Sequence, residues 1–424
     1  MIIHKLLVCF CLILGSSFLT LAEAKTVTVI LDAFDGKAPL FDSLDLKEGL
    51  DYLDFVVSKD ESDEFTHLYQ PNSIVCQALD FSRKEIRKCL RQITQKRKRI
   101  DYITAASKQD WIIYRGSEFR EEFHSKAGSA PETSVYFYDK YLMKKRILAA
   151  GVPTAPMTEA NLKSAHSFVK EHGFPVVIKP RRKSSSEGVR FLKKMSEVTK
   201  VLKTIDPDQH LLEKFVAGGT YRADGIYNKG QIVSMLAFKD TPSCYDYYIK
   251  RLPAVESLIL DEAELHEIQK VVQASLDALK YETGVFHMEL IKNKKTGFNF
   301  LEVAGRPGGG GGRKLLLNHF GIDFSVEMMR LDTGLPVRPL SLPKLFGWAL
   351  SVPTPEAKRS FHYKGLDRSI QKQYPSLVEI EAPKPGHKVP KYGAIGFYFI
   401  SSDEEQIKKD HHDLMKNLKI EFIP

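Results

Sequence analysis

The chain of 424 residues has only 5 cysteines, and their placement argues against two chemistries. Cys9 and Cys11 fall in an apolar N-terminal segment, leaving Cys76, Cys89 and Cys244, an odd and widely spaced set. Neither a metal-ligand spacing nor a disulfide framework can be read from them, so each is expected to be a buried, inert thiol. Beyond residue 24 no apolar stretch is long enough to span a bilayer. Helix-turn-helix, zinc-finger and aromatic RNA-binding signatures are missing, as are internal repeats and any low-complexity tract other than one glycine run. The net charge of +9 is scattered apart from Lys96–Arg99 and Lys179–Lys183, and it suits a protein that binds a polyphosphate. No nucleic-acid partner is expected. A composition of 43% hydrophobic and 27% charged residues is that of a globular protein, and the length admits two or three domains.

Met1–Ala24 has a basic start at Lys5, an apolar run from Leu6 to Leu14, and small residues at Ala22 and Ala24. This is the layout of a signal peptide cleaved before Lys25. Left uncleaved, Leu6–Ala22 would be a marginal membrane anchor, the one route to a membrane that the sequence offers. Without a functional leader the protein would be cytoplasmic. Val27–Leu31 then reads as a strand with a turn at Phe34-Asp35-Gly36, Arg83–Gln95 as a helix and Ile100–Thr104 as another strand. Such alternation predicts a small doubly wound α/β unit, with Lys96–Arg99 as a solvated basic cap on the helix.

The chemistry concentrates between Gly284 and Gly312. Two apolar runs, Val285–Ile291 and Phe298–Val303, flank a turn-rich tract and predict a β-hairpin. Each arm carries one acid, Glu289 and Glu302. A turn near Lys295 sets the two almost opposite each other, with His287 on the same face. Like charges there are destabilising, so the pair calls for a cation. Oxygen ligands suit Mg²⁺, or Mn²⁺ in its place. Arg306 and the glycines Gly308–Gly312 follow at once, a run that lets backbone approach a ligand closely.

Upstream, Asp139–Ala150 is expected to be an amphipathic helix ended by Gly151-Val152-Pro153. Pro175–Pro180 is a strand with Lys179 embedded among Val, Ile and Pro, where a lysine needs an anionic partner. It leads into a Ser/Gly loop, a pattern that cradles phosphate. Leu211–Val216 is a further apolar run enclosing Glu213. Thr220–Ile226 and Gln231–Phe238 pair as a hairpin, Glu262–Ala278 is helical, and the segment from Leu335 onward is rich in strands and proline.

Taken in order, Asp139-Lys140, Val177-Ile178-Lys179-Pro180, the Ser/Gly loop, Glu213-Lys214-Phe215-Val216, Glu289, and Glu302-Val-Ala-Gly-Arg306-Pro-Gly-Gly resemble the ATP-grasp superfamily. Within it they resemble the carboxylate–amine ligases, including L-amino-acid ligases. The resemblance runs from about Lys25 to the end. It implies an α/β fold with α+β lobes: an N-terminal doubly wound domain over 25–135, a two-lobed ATP-grasp core over 136–334, and a β-rich closing lobe over 335–424. It implies ATP and Mg²⁺ as cofactors, acyl-phosphate chemistry, and small-molecule carboxylate and amine substrates; a homodimer is the one assembly considered.

By matching position, Lys140 and Lys179 contact the ATP phosphates, under a loop of Ser184, Ser185, Ser186, Glu187, Gly188 and Val189. Glu213, Lys214, Phe215 and Val216 line the adenine, Glu289 and Glu302 hold the metal, and Arg306 steadies the acyl phosphate or the substrate carboxylate. Lys179 and Arg306 are the expected catalytic pair. Two positions depart from the family: Ala304 replaces a frequent asparagine ligand, and Thr220 stands where an acid often binds ribose. Arg222 and Arg313 are candidate carboxylate binders that read more readily as surface residues. A nucleotide-binding protein without turnover, for which Ala304 speaks, and a basic surface binder remain the competing readings.

Overall fold

The computed structural model describes residues 26–31, 51–58, 71–107, 109–336, 338–341, 343–354, 362–364, 366, 368–382 and 393–423. The expected leader over 1–24 and the turn at Phe34-Asp35-Gly36 lie outside the described residues. Among the described residues no helix is long and apolar enough to cross a membrane.

The N-terminal unit holds strands β1 (Thr26–Leu31), β2 (Tyr52–Ser58), β3 (Val75–Ala78) and β4 (Tyr102–Ala106) in a parallel sheet of order β3-β2-β1-β4. Helix α1 (Arg83–Arg97) starts at a Ser82 cap and buries Ile86, Cys89, Leu90 and Ile93, a stripe at helical spacing. Helix α2 (Asp110–Glu122) follows β4 and buries Ile112 and Phe119 in the same core. The strand order reverses between β1 and β4, so the crevice beyond their C-terminal ends opens where α2 begins, at Asp110.

Two sequence expectations fail here. Cys76 and Cys89 are not separate thiols but a disulfide joining β3 to α1, with Cα atoms 5.5 Å apart. Their separation of 13 residues carried no signal because a strand, a turn and one face of a helix bring them together. Arg97 of the basic run is not a solvated cap. Its guanidinium grips the buried Asp54 carboxylate at 2.9 and 2.7 Å and lies over the Tyr52 ring. Asp54 is in β2, so the pairing ties helix end to sheet.

Helices α3 (Pro131–Ser134) and α4 (Lys140–Ala149) lead to a smaller sheet. It contains β5 (Met157–Glu159), α5 (Leu162–His172), β6 (Val176–Pro180), β7 (Arg190–Leu192), α6 (Met195–Leu202) and β8 (His210–Lys214), in strand order β5-β8-β6-β7. Next come β9 (Gly219–Asn228), β10 (Gln231–Thr241), α7 (Cys244–Tyr248), β11 (Ala254–Leu258), α8 (Glu262–Ala278), β12 (Thr283–Asn293) and β13 (Gly297–Ala304). Helices α9 (Gly310–Phe320) and α10 (Phe324–Asp332) follow. The rest supplies β14 (Phe346–Pro353), β15 (His362–Lys364), β16 (Leu377–Glu381), β17 (Ala394–Ser401), α11 (Glu404–Asn417) and β18 (Glu421–Ile423).

One eight-stranded sheet runs β13-β12-β9-β10-β11-β14-β17-β16. The C-terminal segment, expected as a separate lobe, thus extends the same sheet, because β14 pairs with β11 from Ala254↔Ser351 to Ser257↔Trp348. Core residues from α8, such as Ile268, Val272 and Leu276, pack under β9, β12 and β13. A second cluster, including Leu315, Leu316 and Met328, seats α9 and α10 on β10 to β12.

Candidate active site

The β12–β13 hairpin puts Glu289 directly opposite Glu302, and His287 opposite Ala304. The register shifts just after Glu289, so this acidic pair sits beside a β-bulge, a device that re-aims side chains. On its other edge β12 pairs with β9, setting Glu289 against Arg222 and His287 against Asp224. Directly opposed residues share a face. One face of the sheet therefore carries Glu302, Glu289 and Arg222 in a row, with His287 and Asp224 in the next.

Lysines from the smaller sheet and from α4 meet this row. Lys179 on β6 lies 3.8 Å from the Glu302 carboxylate and Lys140, first residue of α4, lies 3.7 Å from it. Lys179 is hydrogen-bonded to Glu213 on β8 at 2.9 Å. Lys144, one turn beyond Lys140, binds the other Glu213 oxygen at 2.5 Å and is fully buried. Both Glu213 oxygens are thus taken by lysines. Lys140 also donates to the Lys183 carbonyl at 2.7 Å, reaching the base of the Ser/Gly loop.

The charges answer to burial and to these neighbours. Burial resists ionisation of Glu213, but Lys144 and Lys179 overcome it and hold its pKa at about 2. The two lysines move in opposite directions. Burial dominates at Lys144 and lowers its pKa, since Glu213 is its one bonded acid. At Lys179 the same burial is outweighed by Glu213, Glu302 and Glu289, and its pKa rises. Glu289 is raised by burial and by Glu302 across from it. Burial disfavours a charged His287, yet Asp224, bonded at 2.7 Å, wins and raises its pKa.

Asp139 organises the approach to this site. Its Oδ1 accepts from the Tyr141 and Leu142 amides, capping α4, while Arg181 bonds both of its oxygens at 2.9 and 2.8 Å. Arg182 adds a contact at 3.1 Å. The strand end that leads into Ser184–Val189 is thereby fixed to the helix that carries Lys140 and Lys144. Within the loop Ser185, Ser186 and Gly188 have positive φ, and a Cβ on Gly188 would lie 2.8 Å from Pro180. Lys214 donates to the Phe174 carbonyl at 2.8 Å. Phe215 and Val216 lie just past β8, on the connector to the large sheet.

Two positions differ from the sequence reading. Arg222 is no surface residue: its side chain is 6% exposed and binds Glu256 at 2.5 Å, because β9 is central to the sheet. The glycine run does make close approaches, but to this chain's own side chains. A Cβ on Gly308 would sit 2.6 Å from Asp224, and one on Gly310 2.5 Å from Glu256. Arg306 is joined to Asp110 at 2.6 Å and to the Pro307 carbonyl at 2.9 Å. Arg313 donates to Ser325 at 3.2 Å, away from the acidic pair. Thr220 donates to the Asp240 carbonyl at 2.9 Å, so its hydroxyl proton is already used.

Cys244, on α7, has its thiol pKa pushed up by burial and by Glu289 and Asp240, which rules against a thiolate nucleophile. Among the described residues no group of three or more His, Cys, Asp or Glu forms a metal site. Two carboxylates are nevertheless the usual protein share of a Mg²⁺ site completed by phosphate oxygens. The donor set fits such an ion, and the repulsion within the pair is what the ion would relieve.

A family model for the ATP-grasp domain matches residues 172–314, from the end of α5 to the first turns of α9. The chain carries an ATP-grasp domain. The matched region includes Lys179, Glu213, Glu289, Glu302 and Arg306. Lys140 and Lys144 precede the matched region and are joined to it through their bonds to Lys183 and Glu213.

Relatives point the same way. A D-alanine–D-alanine ligase of Clostridium beijerinckii is 29% identical over 165 residues, 37% of this chain and 54% of its own. An L-arginine-specific L-amino acid ligase of Bacillus subtilis is 22% identical over 241 residues, 52% of this chain and 57% of its own. The chain thus spans about half the length of these relatives. In fold it is similar to the L-amino acid ligase from Bacillus licheniformis, with a TM-score of 0.70 at 17% identity, covering 94% of this chain and 98% of that one. N5-carboxyaminoimidazole ribonucleotide synthetase from Thermotoga maritima superposes at 0.67 and 18% identity, over 93% and 99% of the two chains. These likenesses show a shared α/β fold over nearly the whole chain.

Proposed function

We propose that this protein is an ATP- and Mg²⁺-dependent ligase that activates a carboxylate as an acyl phosphate and joins it to an amine, with amino-acid-like substrates. The observation that carries the reading is the meeting of Lys140, from α4, and Lys179, from the smaller sheet, with Glu302 of the large sheet at 3.7 and 3.8 Å. Lysines facing a carboxylate pair suit the transfer of a phosphoryl group, where catalysis is mainly positioning and charge stabilisation. ATP supplies the phosphoryl group, and Mg²⁺ spreads its charge when bound.

In this reading Lys140 and Lys179 hold phosphate oxygens and stabilise negative charge as the carboxylate attacks. Ser184–Val189 covers the phosphates and excludes water. Glu289 and Glu302 hold the metal, and Ala304 leaves that pair without a further ligand, so one ion is expected. Arg306 steadies the substrate carboxylate and the acyl phosphate that forms from it. An incoming amine then displaces phosphate to form the amide. The names of the relatives support amino acids as the substrate class.

The test is ATP consumption by the purified protein with Mg²⁺ and pools of amino acids, beside a Glu302→Ala control. Release of ADP and phosphate that needs two substrates and vanishes in the control is the expected outcome. ATP binding without turnover in any pool would favour the non-catalytic reading.

We also propose export. The leader-like Met1–Ala24 and the Cys76–Cys89 disulfide support it, since disulfides persist in oxidising compartments. N-terminal sequencing of the protein from its host tests this: a mature N-terminus at Lys25 is expected, and a cytoplasmic chain starting at Met1 refutes it.

A further inference from the structure

The charges beyond the metal pair serve the glycine run. Glu256 on β11 accepts from the backbone amides of Gly311, at 3.2 Å, and of Gly312, in the first turn of α9. A carboxylate there is favoured by the free amides and the dipole of a helix N-terminus. Arg222, from β9, binds the same Glu256 at 2.5 Å and donates to the Gly309 carbonyl at 3.2 Å. The run is therefore held through donors and acceptors on three consecutive stretches of backbone.

The glycines fit this clamp. A Cβ on Gly312 would collide with the Arg222 guanidinium and come within 2.5 Å of Glu256. One on Gly310, whose φ is +79°, would also meet Glu256 at 2.5 Å. One on Gly308 would meet Asp224 and His287, each at 2.6 Å. Gly309, whose carbonyl is used but whose Cα faces open space, has nothing within 4 Å. A Cβ on Gly311 would come 2.9 Å from the Ala349 side chain of β14, so four of the five positions are glycine because side chains of the sheet lie directly beneath them.

Arg306 stands at the other end of the same stretch, bonded to Asp110 of the N-terminal unit. We infer that Glu256 and Arg222 are positioning residues, a latch that fixes the Gly308–Gly312 run to β9 and β11 and so sets Arg306 over the substrate site. The inference rests on the proposed role of Arg306 toward a carboxylate. Neither latch residue needs to touch substrate; each acts through the backbone between Arg306 and α9.

The test uses the full chain with Glu256→Gln, Glu256→Asp and Gly312→Ala. Hydrogen exchange of the peptide amides over residues 306–320 is measured without substrate, alongside Kd for ATP with Mg²⁺. The latch predicts faster exchange there in Glu256→Gln and Gly312→Ala, partial recovery in Glu256→Asp, and ATP affinity within twofold of the parent. In turnover, kcat/KM for the carboxylate should fall about a hundredfold, the scale of a displacement near 1 Å, while KM for ATP holds. Unchanged exchange over 306–320 overturns the latch. So does an equal rise in both KM values, which would mark general destabilisation. If the parent protein shows no turnover, the ligase reading fails, and the exchange measurement still decides whether the latch exists.

Discussion

Glu302 and Lys179 face each other across the two sheets, 3.8 Å from carboxylate oxygen to ammonium nitrogen. Neither residue's own sheet could complete the site. The large sheet supplies the acids, the smaller one the cations, and the helix that begins at Lys140 bridges them.

Removing one acid should therefore disable the reaction without dismantling the fold. Glu302 is partly exposed, at 26%, and it is not the partner on which Lys179 depends. Glu302→Ala should lower kcat by about 10²–10³, the scale seen when one preorganised electrostatic group is lost. Steady-state ADP release and circular dichroism together check this.

Glu213→Gln should have the opposite profile, with stability hit first. It would leave Lys144 and Lys179 buried beside a neutral amide, a change costing about 3–5 kcal/mol. The pH dependence has a definite sign. Glu213 titrates at about 2 in the folded protein against an ordinary 4.5, so its contribution is present above 4.5 and is lost as pH falls from there to about 2. That shift corresponds to roughly 3 kcal/mol. Denaturant unfolding of parent and variant should differ fully at pH 7 and converge only below about pH 2.

Arg306→Lys should weaken the use of the carboxylate while sparing ATP. Lysine cannot hold Asp110 and a carboxylate with one planar fork. Asp110→Asn, on the N-terminal unit, should reproduce part of the effect by freeing the guanidinium. KM measured separately for ATP and for the carboxylate distinguishes this from a folding defect.

Reduction should destabilise the N-terminal unit. The Cys76–Cys89 bridge closes a loop of 13 residues, worth about 3 kcal/mol at that length. Thermal unfolding with and without dithiothreitol should show a drop in Tm, and Cys89→Ser should match the reduced protein. Thiol labelling of the oxidised Lys25–Pro424 chain in denaturant should modify Cys244 alone.

The hairpin and its opposed acids were legible in the chain because they are local. Val285–Ile291 and Phe298–Val303 fix their own register through a short turn, and alternation then sets which side chains share a face. The Ser/Gly loop, the strand around Lys179 and the helix over Arg83–Gln95 were readable for the same reason. Lys144 was not. It looks like a surface lysine on a short helix, and its partner Glu213 is 69 residues away.

Arg222, Glu256 and Asp110 were hidden likewise, since each gains its meaning from a strand or helix distant in sequence. The disulfide shows the same limit: two cysteines 13 apart pair only because α1 packs across β3. By itself the sequence determined the local elements, the order of its motifs and the chemical kinds of group available. Tertiary structure decided which charges neutralise one another, because side chains from separate sheets share a low-dielectric interior only after the sheets have packed.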